Sequence, residues 1–277
     1  MLRVGRISYV NCYPVYGAID RGIVRLNAEV VSGVPTYLNR RVAEGMLDVS
    51  VVSAVEYAHE AHKYLLLPDL AISCDGPVRS VMLFSRYPVS ELTGRQVLVS
   101  KSSMTSVALL ELLFDHVWQA QPVFVPGNAE ITDIDQFDDH DARLVIGDAA
   151  LVLGARQAAG ASPYPYVYDL GQAWKEWTDL PFVFAVWVAR RTVPVSDALS
   201  VHARLIESRD WGVSHRAVLA QQAHEATAVP LDMCNEYLSG LDYGLSYPHL
   251  AGLTEFFRRL VQRGRVPDGT LTFLTAA

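Results

Sequence analysis

The sequence predicts an α/β protein with two lobes, two hinge crossings and a helical C-terminal region. Two successive units alternate β-branched runs with helical patterns, as expected for parallel sheets covered by helices. Two longer apolar runs, "SVMLFSRYP" and "LPFVFAVWVARR", bracket the second unit. The final segments, which end in "HLAGLTEFFRRLVQRG", have helical periodicity. We therefore expect one lobe from residues 1–87 and 188–277, a second lobe from 88–187, and a ligand cleft between them.

The first unit is predicted to contain three strands, each followed by a helix. The strands are "LRVGRISY", "AEVVSG" and "VSVVSA". Pro14 marks the start of the first helix, Pro35 and Gly45 bound the second, and the third runs from about Ala54 to Lys63. The second unit begins with the strand "RQVLVSK" and the helix "TSVALLELLFDHVWQ". It continues with the strand "PVFVPG", the acidic helix or loop "TDIDQFDDHDA" and the strand "ARLVIG".

Composition and charge narrow the classes of function. The chain has 277 residues, of which 51% are hydrophobic and 19% charged, as in ordinary globular proteins. A net charge of −7 disfavours binding to nucleic acid or to an anionic membrane, so neither partner is expected. The N-terminal residues enter a strand pattern directly, and no apolar stretch reaches the length of a membrane span. Three widely separated cysteines (Cys12, Cys74, Cys234) fit a reducing compartment, so we expect a cytoplasmic location.

No sequence motif indicates a bound nucleotide, a metal or a serine nucleophile, and none indicates the oligomeric state. The chain lacks the Walker A loop, the GxGxxG loop, the GxSxG elbow and the HExxH zinc motif. Glu56, His59 and His62 have helical spacing, but a metal site needs more ligands than they supply. We therefore expect no cofactor and no metal.

Polar residues collect where the predicted strands end, at the edge of a parallel sheet that commonly binds ligands. The candidate site residues are Asn11, Ser53, Arg79, Ser80, Ser102, Ser103, Thr105, Ser106 and Asp148. Hydroxyl residues at a helix start either cap the helix or help its free N–H groups to bind an anion. Arg79 fits either a ligand carboxylate or a hinge salt bridge. Asp148 fits a helix cap, an acceptor for a ligand hydroxyl or a general base.

Six segments of the chain form an ordered set. They are "RISYVNCYPVY", "GVPTYLNRRVAEGMLDVSVVSAVEYA", "SVMLFS", "SSMTSVALLELL", "LVIGDAALV" and "DLGQAWKEWTDLPFVFAVW". In this order they resemble the chorismate dehydratase family of the futalosine route to menaquinone, and the resemblance covers most of the chain. It implies the fold of the type II periplasmic binding proteins, with two α/β lobes, two hinge strands and a cleft between the lobes.

The resemblance also implies a reaction, the dehydration of chorismate to 3-[(1-carboxyvinyl)oxy]benzoate. The ring hydrogen beside the enolpyruvyl ether leaves as a proton, and the neighbouring hydroxyl leaves as water. Conjugation to the ring carboxylate makes that hydrogen acidic, and aromatisation drives the loss of the hydroxyl. The partner is therefore a small dianionic substrate, and the reaction formally needs neither a metal nor a redox cofactor.

Such a site must hold two carboxylates and orient one C–H bond and one hydroxyl. One carboxylate is assigned to the hydroxyl run after "RQVLVSK": Ser102, Ser103, Thr105 and Ser106. The other is assigned to Ser53 with Arg79 or Ser80. Asn11 would contact the ring hydroxyl or polarise a carboxylate, and Asp148 would accept from that hydroxyl or act as the base. Since no histidine follows a predicted strand, the substrate's own enolpyruvyl carboxylate is the alternative base.

Three other functions stay open at this point, because one fold serves many functions. One of them is an effector-binding regulatory lobe. A solute-binding protein of the same fold would need no catalytic group, although the N-terminal sequence does not resemble an export signal. The sibling enzyme that forms 1,4-dihydroxy-6-naphthoate would need room for a polycyclic ligand. The segments "PFVFAVW" and "GDAAL" resemble the dehydratase more closely.

Overall fold

The computed structural model describes residues 1–128 and 140–275, so most of the predicted acidic segment "TDIDQFDDHDA" lies outside the described residues. The strands are β1 (Leu2–Ile7), β2 (Ala28–Gly33), β3 (Val49–Ser53), β4 (Tyr64–Cys74), β5 (Val81–Ser85), β6 (Gln96–Ser100), β7 (Val123–Gly127), β8 (Ala142–Ile146), β9 (Tyr166–Asp169) and β10 (Phe182–Arg190). The helices are α1 (Tyr13–Asp20), α2 (Pro35–Ala43), α3 (Ala54–Glu60), α4 (Met104–Leu113), α5 (Gly147–Ala158), α6 (Leu170–Thr178), α7 (Val195–Ser214), α8 (Arg216–Thr227), α9 (Leu231–Gly240) and α10 (Tyr247–Gln262). A short 3-10 turn, Val10–Cys12, precedes α1.

The strands form two sheets with the same internal plan, in the orders β2-β1-β3-β10-β4 and β7-β6-β8-β5-β9. β1 pairs in parallel with β2 and β3, and β6 pairs in parallel with β7 and β8. Each parallel trio then receives one antiparallel strand next to a hinge crossing: β10 joins β3, and β5 joins β8. The predicted α/β fold with two lobes and two crossings is therefore confirmed.

Strand pairing divides the chain at different points from the predicted lobe limits of 87 and 188. "VMLFS" forms β5 and pairs along its whole length with β8 in the second sheet. "FVFAVWVAR" forms β10 and pairs with β3 and β4 in the first sheet. The crossings are the segments 75–80 and 179–181, so the first lobe contains residues 1–74 and 182–275. Both runs are similarly apolar, and apolarity does not reveal which sheet a strand joins.

The strand β4 was not predicted, because its sequence contains Pro68 and Asp69. Proline has no N–H to give to a ladder, and Asp69 has a left-handed backbone with φ 51°, so the register against β10 shifts at this point. Helix α7 contacts the irregular turn: His202 Nε2 lies 2.8 Å from the Pro68 carbonyl oxygen, and Arg209 donates to the Asp69 carbonyl oxygen at 2.6 Å. A tertiary contact therefore supports a strand that its own sequence disfavours.

The C-terminal region is helical, as predicted, and its helices pack against the first sheet and its helices. Helix α7 packs on α1 so closely that a Cβ at Gly212 would lie 2.1 Å from the Pro14 carbonyl oxygen. One continuous apolar core runs through both lobes and includes Trp187 on β10 and Trp174 on α6, both fully buried. Within residues 1–128 and 140–275, no helix is long and apolar enough to cross a membrane.

Candidate functional site in the cleft between the lobes

A cavity of about 50 Å³ lies between the lobes, at the carboxyl ends of the parallel strands. The first lobe contributes Asn11, which follows β1, and Ser53, which ends β3. The second lobe contributes Gly147, which follows β8. Polar side chains that line the cavity are those of Tyr9, Asn11, Ser53, Ser80, Ser103 and Ser106. The cavity therefore lies at the sheet edges where the sequence pattern predicted a ligand.

Among the described residues, no charged side chain lines this cavity. Three helices begin at its walls instead: α2 at Pro35, α4 after its N-cap Ser103, and α5 at Gly147. The first turn of a helix has unpaired N–H groups and a partial positive charge. An anionic ligand in this cavity would be held by hydroxyls and helix N–H groups rather than by lysine or arginine.

Ser103 and Ser106 form a linked pair at the start of α4. Ser103 is the N-cap, and its Oγ accepts from the Ser106 N–H at 3.2 Å. The Ser103 hydroxyl in turn donates to Ser106 Oγ at 2.8 Å. Of the two roles predicted for this run of hydroxyls, the structure shows the helix cap at Ser103, and the side chains of both serines line the cavity.

The other two hydroxyl residues of that run do not reach the cavity. The Ser102 N–H donates to Ser100 Oγ at 3.1 Å, in the turn that joins β6 to α4. Thr105 Oγ1 accepts from the Val55 N–H at 3.1 Å, in the first turn of α3. Because Thr105 belongs to the second lobe and Val55 to the first, this bond holds the lobes together beside the cavity.

Ser53 lies in the cavity wall and is fixed from behind by Asn39 on α2. The Ser53 N–H donates to Asn39 Oδ1 at 3.2 Å, and Asn39 Nδ2 donates to Ser53 Oγ. Asn39 is only 2% exposed, so water does not compete for these bonds. Sequence reasoning missed Asn39, because a single amide within "PTYLNRRVAEG" does not show whether its side chain faces solvent or the core.

Arg79 and Ser80 are neighbours in the hinge segment 75–80, but their side chains lie in different surroundings. Arg79 has φ 59°, and its N–H donates to Asp169 Oδ2 at 2.7 Å. Its guanidinium pairs with Glu236 on α9, outside the cavity, whereas Ser80 is buried in the cavity wall. Of the two roles open to Arg79, the structure shows the salt bridge. The left-handed residue turns neighbouring side chains in opposite directions.

Asp169 holds this hinge segment in place and was not predicted as a site residue. Its carboxylate accepts from the Val78 and Arg79 N–H groups and also caps α6 through Gly171 and Gln172. Burial raises the pKa of the Asp169 carboxyl, and the four backbone N–H groups oppose that rise. The segment "DLGQ" shows a helix cap in the sequence, but nothing in it reveals the contact with residues 78 and 79.

Asn11 has a buried acceptor with no partner. Its Oδ1 makes no hydrogen bond to any described residue, and its side chain lines the cavity. A buried acceptor without a donor costs about 1–3 kcal/mol, so such atoms usually face a ligand or water. The neighbouring Cys12 offers no nucleophile, because burial raises the pKa of its thiol to about 12.

Asp148 makes a contact that none of its three predicted roles includes. Its Oδ1 accepts from the Val10 N–H at 2.9 Å, and the two residues belong to different lobes. The N-cap position of α5 is Ile146, so Asp148 is not the cap, and it does not line the cavity. Asp148 therefore fixes the backbone next to Asn11 when the lobes are together.

A second contact between the lobes lies beside this bond. Gly147 has φ 62°, and a Cβ at this position would lie 2.7 Å from the ring of Tyr9. Both the backbone conformation and the close ring require glycine here. The turn after β1 and the start of α5 thus meet through Tyr9 on Gly147 and Val10 on Asp148.

Metal-ligating side chains do not cluster in the part of the chain that the structure describes. Glu56, considered above as a possible ligand, accepts from the Tyr64 hydroxyl at 3.1 Å, and burial raises the pKa of its carboxyl. His59 and His62 are exposed.

Residues 2–262 match the sequence pattern of a family described as menaquinone biosynthesis. The chain belongs to this menaquinone biosynthesis family. The chorismate dehydratase of Thermus thermophilus is 32% identical over 271 residues, which are 93% of this chain and 94% of the relative. These findings confirm the resemblance that the six sequence segments indicated.

Solved structures confirm the fold of this family member. A protein from Archaeoglobus fulgidus superposes with a TM-score of 0.73 at 20% identity, covering 96% of this chain and 98% of that one. A Candida albicans protein described as having the generic periplasmic binding protein fold superposes with a TM-score of 0.67 at 8% identity. That match covers 100% of this chain and 98% of the other. The predicted periplasmic-binding-protein fold is therefore confirmed.

Proposed function

We propose that this chain dehydrates chorismate to 3-[(1-carboxyvinyl)oxy]benzoate, as a step of the futalosine route to menaquinone. Membership of the menaquinone biosynthesis family and the likeness to a chorismate dehydratase support this proposal. The observation that carries it is the pattern of polar groups in the cleft. One buried acceptor, Asn11 Oδ1, has no partner among the described residues, while hydroxyls and helix starts supply donors around it.

Chorismate has the complementary pattern, since its two carboxylates accept hydrogen bonds and its ring hydroxyl donates one. We assign one carboxylate to Ser103, Ser106 and the first turn of α4, and the other to Ser53 and Ser80. The ring hydroxyl then donates to Asn11 Oδ1. Helix N-termini and hydroxyls bind anions without a full positive charge, which suits a cavity where the described residues place no charged side chain.

The proton acceptor in this proposal is the enolpyruvyl carboxylate of the substrate. No Asp, Glu or His among the described residues lines the cavity. The C–H electron pair enters the ring and spreads toward the ring carboxylate, where hydroxyl donors and helix starts stabilise the charge. The electron pair then expels the neighbouring hydroxyl, which takes up the proton and leaves as water, and the ring becomes aromatic. The protein contributes positioning and the exclusion of bulk water.

Entry of chorismate requires the lobes to separate. The cavity volume of about 50 Å³ is far below the roughly 300–1,000 Å³ of a typical small-molecule site. The segments 75–80 and 179–181 are the two connections about which the lobes can turn. The bonds of Thr105 to Val55 and of Asp148 to Val10 would break on opening and form again on closure.

The test is to incubate the purified, metal-stripped chain with chorismate and follow ultraviolet absorbance and product mass. We expect loss of one water and the appearance of a benzoate chromophore. The test variant is Asn11→Leu, with the parent chain as its control. This substitution keeps the side-chain size but removes the acceptor, and it should lower turnover about tenfold or more.

Unchanged chorismate would refute the proposal. If chorismate then still raised the thermal unfolding temperature of the chain, a solute-binding function would replace it. Conversion of a cyclic futalosine derivative into dihydroxynaphthoate would assign the chain to the sibling reaction instead.

A further inference from the structure

The side chain of Asn39 uses its whole amide group in hydrogen bonds. Its Oδ1 accepts from the Ser53 N–H at 3.2 Å. Its Nδ2 donates to Ser53 Oγ and also to Met104 Sδ, which lies 3.4 Å away at the start of α4 in the second lobe. Asn39 itself does not line the cavity, so it acts on a ligand only through the groups that it contacts.

Elementary chemistry fixes the orientation of this amide. A backbone N–H can only donate, so the amide oxygen must face the Ser53 N–H and the amide nitrogen must face Ser53 Oγ. Because that nitrogen can only donate, Ser53 Oγ accepts the bond with one of its lone pairs. The hydroxyl hydrogen of Ser53 is then left for another acceptor, and no described residue supplies one.

Ser53 lines the cavity, where no cationic side chain of the described residues is present to attract an anion. The direction of each hydroxyl hydrogen therefore decides which ligand group can bind there. A hydroxyl that must donate suits a carboxylate oxygen, whereas a ligand group that also donates would meet it hydrogen to hydrogen.

We infer that Asn39 is a specificity-determining positioning residue, which turns the Ser53 hydroxyl hydrogen toward the ligand and so selects a carboxylate at that end of the cleft. The inference deepens the proposed function and rests on it for the identity of the carboxylate. The bond to Met104 adds a link to closure, because the second amide hydrogen finds its acceptor only when the lobes meet.

The test uses two probes with the same ring, benzoate and benzamide, and measures their affinities by calorimetry at pH 8. Benzoate can only accept from Ser53, whereas benzamide can turn either its oxygen or its N–H₂ group toward it. The proteins are the parent chain, Asn39→Asp, Ser53→Ala and the double variant. In Asn39→Asp the introduced carboxylate can only accept, so the Ser53 hydroxyl turns its hydrogen away from the ligand.

We expect Asn39→Asp to lower the affinity for benzoate at least tenfold and that for benzamide less than threefold. The loss for benzoate should be at least ten times smaller when Ser53 is already alanine, because the effect acts through the hydroxyl. An equal loss in both backgrounds would mean direct charge repulsion and would overturn the inference.

Ser53→Ala keeps the test decisive if Asn39→Asp does not fold, as judged by thermal unfolding. This variant should lose about tenfold in benzoate affinity with little change for benzamide, and an unchanged benzoate affinity would overturn the inference.

Kinetics with chorismate separate this inference from the proposed function. Asn39→Asp should lower kcat/KM for chorismate about tenfold, since the Ser53 donor is lost to the substrate carboxylate in both the ground and the transition state. If the parent chain does not turn over chorismate, the proposed function fails, whereas the comparison of benzoate with benzamide still tests Asn39.

Discussion

Removing the Asp148 carboxylate should separate a positioning role from a catalytic one. Asp148 Oδ1 accepts from the Val10 N–H at 2.9 Å, directly before Asn11 in the chain. Asp148→Asn keeps a carbonyl oxygen for this bond, whereas Asp148→Ala leaves the Val10 N–H without its partner. A positioning role therefore predicts that the two variants differ, and a general base predicts that they fail alike.

The size of the effect follows from the type of bond. A hydrogen bond to a charged group contributes about 1.5–3 kcal/mol, so Asp148→Ala should lower kcat/KM roughly 10- to 150-fold. The neutral amide of Asp148→Asn keeps a weaker bond, and a difference of about 1 kcal/mol corresponds to a loss of roughly fivefold. Removal of a general base would instead cost about 10²- to 10⁴-fold in both variants.

The assay is steady-state dehydration of chorismate followed by absorbance, with thermal unfolding of the same preparations. Asp268→Asn is a suitable control, since Asp268 is exposed and lies outside the cleft. Equal losses of more than a hundredfold in Asp148→Asn and Asp148→Ala would refute the positioning role and make Asp148 the base. Full activity of Asp148→Ala would refute both.

Three further outcomes test the cleft and its hinge. Gly147→Ala should lower the unfolding temperature by roughly 3 °C or more, because its Cβ would lie 2.7 Å from the Tyr9 ring in a left-handed backbone; an unchanged temperature would contradict this. Arg79→Gln should leave KM within about threefold, since Arg79 pairs with Glu236 outside the cavity; a tenfold rise would place it at the substrate. Burial raises the pKa of Asp169, so the folded state binds its proton more tightly and its ionisation costs stability as pH rises above about 4. The free energy of unfolding of the parent chain minus that of Asp169→Asn, measured from pH 4 to 7, should therefore fall as pH rises. A rise in this difference would contradict the upward shift of the Asp169 pKa.

Local patterns in the sequence predicted most elements of the fold. The strands "AEVVSG" and "VSVVSA" and the helix that begins at Pro35 occur where predicted, because alternation and capping act over a few neighbouring residues. Ser103 caps α4 for the same reason. The strand β4 escaped prediction because Pro68 and Asp69 disfavour a strand locally and α7 supports it from a distant part of the chain.

The candidate site also contains residues that local sequence patterns located and residues whose position depended on distant contacts. Five of the predicted residues line the cavity, and four of them lie where parallel strands end, at the edge of a sheet that commonly binds ligands. The five are Asn11, Ser53, Ser80, Ser103 and Ser106. The directions of Arg79 and Thr105 depended on partners in other elements, Glu236 and Val55, and no local pattern contains those partners.

The sequence by itself determined the two alternating units, the helical C-terminal region and the polar residues at the strand ends. Only the tertiary structure decided which sheet β5 and β10 join, that Asp148 bonds to Val10, and that Asn39 lies behind Ser53. The physical reason is the range of the interactions. Periodicity and capping are satisfied within one or two turns, whereas Asp148 and Val10 are 138 residues apart and meet only when both sheets have formed and the lobes lie together.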